Sequence, residues 1–257
     1  MTACITGATA GIGLAFAEEL AEQGSDLVVV ARDTARLEAL AERLTAEHGI
    51  DVEALSADLA TDAGCAAVME RLADESRPID MLVNNAGFGV NRAFVAGSLA
   101  DEERMLDVLV RATLRLTHAV LPGMVQRGQG HVINVSSVAG WVPMGTYSAA
   151  KSWVTVFTES LGAELSGTGV TATALCPGFT HTEFHERAAM DISSFPEWAW
   201  LDSRRVAREG LRAARSGRPV NVPSKRYSAL ALVAQLTPRP LLRQASTIAS
   251  RSGAVGR

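Results

Sequence analysis

The sequence predicts an α/β fold, a doubly wound parallel sheet with helices on both faces, and three observations carry the prediction. Short β-branched or apolar runs alternate with longer amphipathic segments along most of the 257 residues. The runs are almost continuously apolar, as strands buried on both faces are. A glycine-rich turn stands between the first run and the first helix, where such sheets bind anionic ligands.

Strands are expected at Ala3 to Thr6, Asp26 to Ala31, Val52 to Ser56, Met81 to Asn84, His131 to Ser136, Val170 to Leu175 and Pro219 to Val222. Between the first two, Leu14, Ala17, Leu20 and Ala21 repeat at helical spacing; after the second, Leu37, Leu40, Ala41 and Leu44 do the same. A long helix is expected over Asp101 to Arg127, and another begins near Tyr147. From about Phe179 to residue 202 the alternation lapses into an aromatic-rich stretch holding Phe184, Phe195, Trp198 and Trp200, read as a helical flap. Residues 226–257 form a basic and apolar tail. Its Tyr227 to Leu242 segment is too short to cross a bilayer.

At this length a sizeable core can be buried. The chain is 47% hydrophobic with a net charge of only −4, which excludes intrinsic disorder. Cys4, Cys65 and Cys176 are widely spaced with no CxxC pair, so a reduced, cytoplasmic setting is expected. The N-terminal residues show no signal-peptide pattern, and no apolar run reaches transmembrane length. Charge is unevenly placed. Residues 203–257 carry twelve basic groups and one acid, Glu209. That pattern fits Arg-rich surface helices, or a basic tail that touches anionic lipid or an acidic partner. No basic stripe interleaved with aromatics suggests nucleic-acid binding.

The turn after the first strand reads Thr6-Gly7-Ala8-Thr9-Ala10-Gly11-Ile12-Gly13. Glycines let the backbone turn tightly and approach a pyrophosphate at the helix N-terminus. The second strand ends in Arg32-Asp33. An arginine there suits a ribose 2′-phosphate and hence NADP, whereas the adjacent acid suits the 2′-hydroxyl of NAD. Arg32 is alternatively a solvated charge at a helix start. NADP(H) is the preferred cofactor and NAD(H) the second choice.

Tyr147 and Lys151 lie four residues apart at the start of a helical pattern, one turn from each other on one face. A nearby cation stabilises phenolate and brings a tyrosine towards acid/base use. Ser136-Ser137 lies ten or eleven residues upstream.

These motifs carry a resemblance. The chain resembles a short-chain dehydrogenase/reductase through TGATAGIG at Thr6 to Gly13, NNAG at Asn84 to Gly87, SSVAG, YSAAK, and Pro177-Gly178 followed by Thr182. The resemblance, closest to 3-oxoacyl and steroid-type reductases, implies one seven-stranded Rossmann-like domain over residues 1–225. It implies hydride transfer between NAD(P) and a carbonyl or alcohol. Tyr147 would be the acid/base, Lys151 would lower its pKa and hold the nicotinamide ribose, and Ser137 would polarise the substrate oxygen. Gly7, Thr9, Ala10, Gly11, Ile12 and Gly13 would hold the pyrophosphate. Asp58 and Leu59 would meet the adenine; Asn85, Ala86 and Gly87 would line the cofactor floor. Pro177, Gly178, Thr180 and Thr182 would lie on the nicotinamide side.

Two departures stand out. The gap from Ser137 to Tyr147 is shorter than the family's, so the loop Trp141 to Thr146 must be tight. Leu109 occupies the position of an asparagine that holds a proton-relay water in the family, and a leucine cannot bond a water. His181 and His185 have HxxxH spacing without a third ligand, so no metal is expected. Cys176 reads as a small buried residue.

The functional reading is an NADP(H)-dependent oxidoreductase interconverting a hydrophobic ketone and a secondary alcohol, assembled as a homodimer or homotetramer. The alternatives are an NAD(P)-binding regulatory protein with little or no turnover and a membrane-surface scaffold using the basic tail.

Overall fold

The computed structural model describes residues 1–90, 92–183 and 196–244. Its strands are β1 (Thr2–Thr6), β2 (Asp26–Ala31), β3 (Val52–Ser56), β4 (Met81–Asn84), β5 (Gly130–Val135), β6 (Val170–Leu175) and β7 (Val220–Asn221). They form one parallel sheet in the order β3-β2-β1-β4-β5-β6-β7. The expected doubly wound architecture is therefore observed. The order reverses between β1 and β4, and ligands of such sheets bind outside the strand C-termini at that reversal.

Period-two alternation decides which core each strand residue joins. Ile5, Val29, Val83 and Ile133 face α1 (Gly11–Glu22), α2 (Thr34–His48) and α7 (Ser203–Arg215), packing with Phe16, Leu20, Leu37 and Val206. Cys4, Val28, Leu82 and Val132 face the opposite layer. There they meet Val68 of α3 (Asp62–Ala73), Leu116 and Val120 of α5 (Thr113–Arg127) and Leu161 of α6 (Gly145–Glu164). Each such aliphatic side chain withdrawn from water contributes about 1.5–3 kcal/mol, so both layers need their apolar stripes.

The long helix runs from α4 (Leu99–Leu106) through a π-helical segment (Asp107–Ala112) into α5. It spans 29 residues and is long and apolar enough to cross a membrane by length and composition. It packs instead as a core helix. Val108, Leu116, Val120 and Met124 are buried, and Arg111 and Arg115 both clasp Asp62 of α3.

Several strand ends differ from expectation by one residue: β1 starts at Thr2, β5 at Gly130, and the ends of β5 and β7 also shift. β5 stops at Val135, because Ser136 turns inward to bond the Lys151 carbonyl and the Thr155 hydroxyl at 2.7 Å each. β7 pairs through Val220 and Asn221 alone. The division expected at 225/226 falls in the first turn of α8 (Lys225–Leu236), whose Tyr227 is buried in the body of the domain. Phe184 and Phe195 of the expected flap lie outside the described residues, as does His185. The described end of that stretch is a single 3-10 turn, Glu197–Ala199.

Candidate active site

The glycine turn is held by side chains from the neighbouring strand end. The Thr6 hydroxyl accepts from the Asn85 and Ala86 amides, both at 3.0 Å, and the Asn85 side chain donates to the Thr6 and Gly7 carbonyls. Asn85 is thus a staple between β1 and β4, and its side chain is spent on protein backbone. Gly13 permits a close crossing: a Cβ there would lie 2.2 Å from the Gly7 carbonyl oxygen. Thr182 packs directly on Gly11, which joins the 177–183 loop to the turn.

The first turn of α1 fits an anion. α2, α3 and α4 have their first amides capped by the side chains of Asp33, Thr61 and Ser98. α1 follows Ala10, has no side-chain cap and has no acid in its first turn. Its leading N–H groups and the helix dipole are therefore directed at the space above the turn, which suits a pyrophosphate.

At the adenosine end, the two residues at the tip of β2 are separated by role. Asp33 accepts from the Arg36 amide as the α2 cap, while Arg32 is exposed. Arg36 is a cation that the sequence reading missed. Its guanidinium donates to the Thr9 carbonyl at 3.1 Å and pairs with Glu183 at 2.8 Å. The available signal was its place in the first turn of α2, four residues after Arg32. Asp58 is held by Arg104 at 2.7 Å, and charged neighbours with a backbone bond from Ala60 keep its carboxyl below the usual range against the opposing effect of burial. Leu59 turns its side chain into the core beside Cys65.

The chemical end is assembled by the chain between β5 and α6. Ser137 begins a 3-10 turn, Val138–Trp141, and its hydroxyl accepts from the Ala139 amide at 3.1 Å. That turn and three further residues make the short connection demanded by the reduced spacing. The Ser137 side chain interacts with the Tyr147 phenol and pulls its pKa down, whereas Ser136 faces α6 backbone. Only the second serine meets the tyrosine.

Lys151 lies beneath Tyr147, with Nζ 5.8 Å from the ring centroid, and donates to the Val135 carbonyl at 2.6 Å. Burial pushes the Lys151 ammonium down to about 8 and the Tyr147 phenol up to about 12, with the Ser137 side chain pulling the phenol the other way. Lys151 is expected to lower the Tyr147 pKa through its positive charge, and in the folded chain desolvation is the largest influence on both groups.

Leu109 sits in the π-helical segment, buried with Met105 and Ala150 in a small apolar cluster against which Tyr147 packs. A Cβ on Gly87 would meet its Cδ2 at 2.7 Å. Its carbonyl accepts from the Thr113 hydroxyl.

The 177–183 loop is tied down by a residue assigned to the tail. The Tyr227 ring lies so close beneath Gly178 that a Cβ there would sit 2.2 Å from it. The Tyr227 hydroxyl donates to the Ala199 carbonyl at 2.8 Å and accepts from the Phe179 amide at 3.2 Å. Pro177 accepts from the Val138 amide, and the buried Thr180 donates to the Gly178 carbonyl. Trp200 contacts Phe179 and stacks on His181, while Trp198 is exposed. His181 pairs with Glu197. Cys176 is buried beside Thr155, and burial raises its thiol to about 11.

The short chain dehydrogenase family pattern matches residues 1–192, three quarters of the chain. The chain belongs to the short-chain dehydrogenase family. Members are NAD(P)-dependent oxidoreductases acting on CH–OH groups. This short-chain dehydrogenase is 33% identical over 226 residues to an uncharacterised oxidoreductase of Staphylococcus saprophyticus, covering 86% of this chain and 93% of the relative. Among solved structures, it resembles a short-chain dehydrogenase from Sphingobium yanoikuyae in complex with NADPH, at 38% identity and a TM-score of 0.83. That match covers 91% of this chain and 93% of the other. A bulky-bulky ketone specific alcohol dehydrogenase from Comamonas testosteroni matches at 32% identity and a TM-score of 0.79, covering 91% and 92%.

Proposed function

We propose that this short-chain dehydrogenase interconverts hydrophobic ketones and secondary alcohols with NADP(H), using Tyr147 as acid/base. The observation that carries the reading is the convergence of Ser137, Tyr147 and Lys151: the serine on the phenol and the ammonium under its ring. The resemblance to an NADPH-bound dehydrogenase supports the cofactor, and the resemblance to a bulky-ketone enzyme supports the substrate class.

The α1 N-terminus with Gly7, Thr9, Ala10, Gly11, Ile12 and Gly13 would hold the pyrophosphate. Arg32, joined by Arg36, would pair with the 2′-phosphate. Asp58 and the Leu59 backbone would face the adenine, and Ala86 and Gly87 would line the floor above the Asn85 staple. Lys151 would hold the nicotinamide ribose, with Pro177, Gly178, Thr180 and Thr182 beside the ring. When bound, the nicotinamide supplies or accepts the hydride.

The protein's own part is proton transfer and polarisation. In the reducing direction, Ser137 donates to the substrate carbonyl oxygen while Tyr147 delivers its proton to the same oxygen as charge develops there. A phenol near 12 stays protonated at neutral pH, so the proton to be delivered is in place. Lys151, held on the Val135 carbonyl, places positive charge under the phenolate left behind. Aromatic and aliphatic groups, among them Trp200 and Phe179, exclude water and favour apolar substituents.

The same reading includes a cytoplasmic setting, supported by three buried free thiols, and self-association, supported by Leu106, Leu114 and Val156 on exposed helix faces. The test is a screen of NADPH and NADH oxidation over ketones of graded size. Bulky lipophilic ketones should be turned over with NADPH preferred, and Tyr147→Phe should lose about 10²–10⁴-fold. Tight NADPH binding without turnover of any ketone would make the chain a cofactor-binding regulator.

A further inference from the structure

We propose that α8 and residues 237–244 dock on an anionic lipid surface. Among the described residues, the buried side chains of α8 form a narrow stripe: Tyr227 and Ala231, one turn apart. A surface helix ordinarily turns its polar face outward. Here the outward arc is Ala229, Leu230, Leu232, Val233 and Leu236, and the four larger side chains are 55% to 74% exposed. No ionisable side chain interrupts the helix between Tyr227 and Leu236, so the outward face is the more apolar one. Leu241, also exposed, extends it.

Charge frames this apolar arc and is mostly basic. Lys225 and Arg226 stand at its start, Arg239 and Arg243 beyond its end, and the last carboxylate in the sequence is Glu209. Arg226 lies over the exposed Trp198 ring at 6.0 Å and donates to the Trp198 carbonyl at 2.7 Å. A tryptophan with an arginine at the edge of an apolar face suits a water–lipid boundary, with an apolar body and a polar tip. At about 1.5 Å per residue, α8 is too short to span a bilayer and would lie in its plane.

The charge decides between occupants. A second copy docked face to face through a two-fold axis would bring a mainly basic frame against a mainly basic frame, with Glu209 at Ser224 and Glu197 beside Trp198 as the acids at the helix start and none beside Arg239 and Arg243 among the described residues. An anionic surface supplies the missing negative charge, and its acyl region accepts the leucines. The docking face adjoins the candidate site, since Tyr227 also clamps the loop at Phe179 and Ala199.

The test is co-sedimentation of the full chain with phosphatidylcholine vesicles made with and without phosphatidylglycerol. Binding is expected only to the anionic vesicles and should weaken as salt is raised. Leu232→Ser with Leu236→Ser should reduce it at least tenfold with unchanged melting temperature and NADPH affinity. Arg239→Gln and Arg243→Gln should each reduce it about fivefold. Failure to sediment with anionic vesicles, or equal binding to pure phosphatidylcholine, overturns the proposal. So does dissociation of an oligomer by the Leu232/Leu236 pair in sedimentation velocity, because a second copy then covers the face. None of these readouts uses ketone turnover.

Discussion

The carboxylate of Glu102, only 5% exposed on α4, accepts the hydroxyl hydrogen of Thr146, the residue immediately before Tyr147. This bond ties the first turn of α6 to the long helix at the point where the shortened connection from Ser137 ends. It also sets a negative group at the α6 N-terminus, where the helix dipole favours it. Glu102 bonds the residue before Tyr147 rather than Tyr147 itself, so the role expected of it is to position the tyrosine. Glu102→Ala leaves the Thr146 hydroxyl without its acceptor and should lower kcat about tenfold or more, with KM for NADPH little changed. Glu102→Gln, which keeps an acceptor, should recover most of the loss. In a double-mutant cycle with Thr146→Val the two effects should not add. Equal losses in Glu102→Gln and Glu102→Ala would show that charge, not positioning, is what matters.

Arg36 reaches both the glycine turn and Glu183, so cofactor discrimination should involve two arginines. Arg32→Ala and Arg36→Ala should each weaken NADPH by about tenfold or more, the scale of a charged hydrogen bond, and leave NADH affinity near its starting value. Glu183→Ala should change NADPH affinity by less than about fivefold, because an ion pair half open to water is worth little. Titration calorimetry with both cofactors decides it. Equal weakening of NADPH and NADH by Arg36→Ala would assign that residue to holding the turn alone.

Burying Lys151 has a cost that pH reveals. Its ammonium falls from 10.5 to about 8 in the folded chain, so between these values the unfolded state binds more protons and the contribution of this residue to stability rises with pH. Below pH 8 the cost is fully present. Lys151→Met should therefore be inactive yet more stable at pH 7, and its advantage should shrink by about 3 kcal/mol as pH rises from 8 to 10.5. Urea unfolding of both proteins across that range measures the gap. A gap independent of pH would mean that Lys151 titrates normally.

Leu109 fills the place where a water-holding side chain is expected, and it does so within an apolar cluster that touches Tyr147. Lys151, which would hold the cofactor ribose, and water on backbone carbonyls would offer proton return to Tyr147 without a side chain at 109, so Leu109→Asn should alter kcat by less than about tenfold. The same substitution should destabilise the fold by about 1–3 kcal/mol, because an amide enters a closed apolar space. A protein that turns over nothing until Leu109→Asn switches it on would overturn the catalytic reading.

The amino-acid sequence alone determined the parallel sheet, its seven strands and the place of the glycine turn, because these are local matters of periodicity and backbone freedom. It also paired Tyr147 with Lys151, since four residues on one helix make one turn wherever that helix packs. Tertiary structure decided what depends on contacts between distant segments. Ser137 rather than Ser136 meets Tyr147, because the buried Ser136 hydroxyl finds its partners on α6. Arg36 meets Glu183 across 147 positions of chain, Glu102 meets Thr146 across 44, and Tyr227 reaches back 48 to Phe179. No spacing rule joins such pairs. Burial likewise set the Tyr147 and Lys151 titrations, a property of the surrounding layers that neither residue carries in its own neighbourhood of sequence.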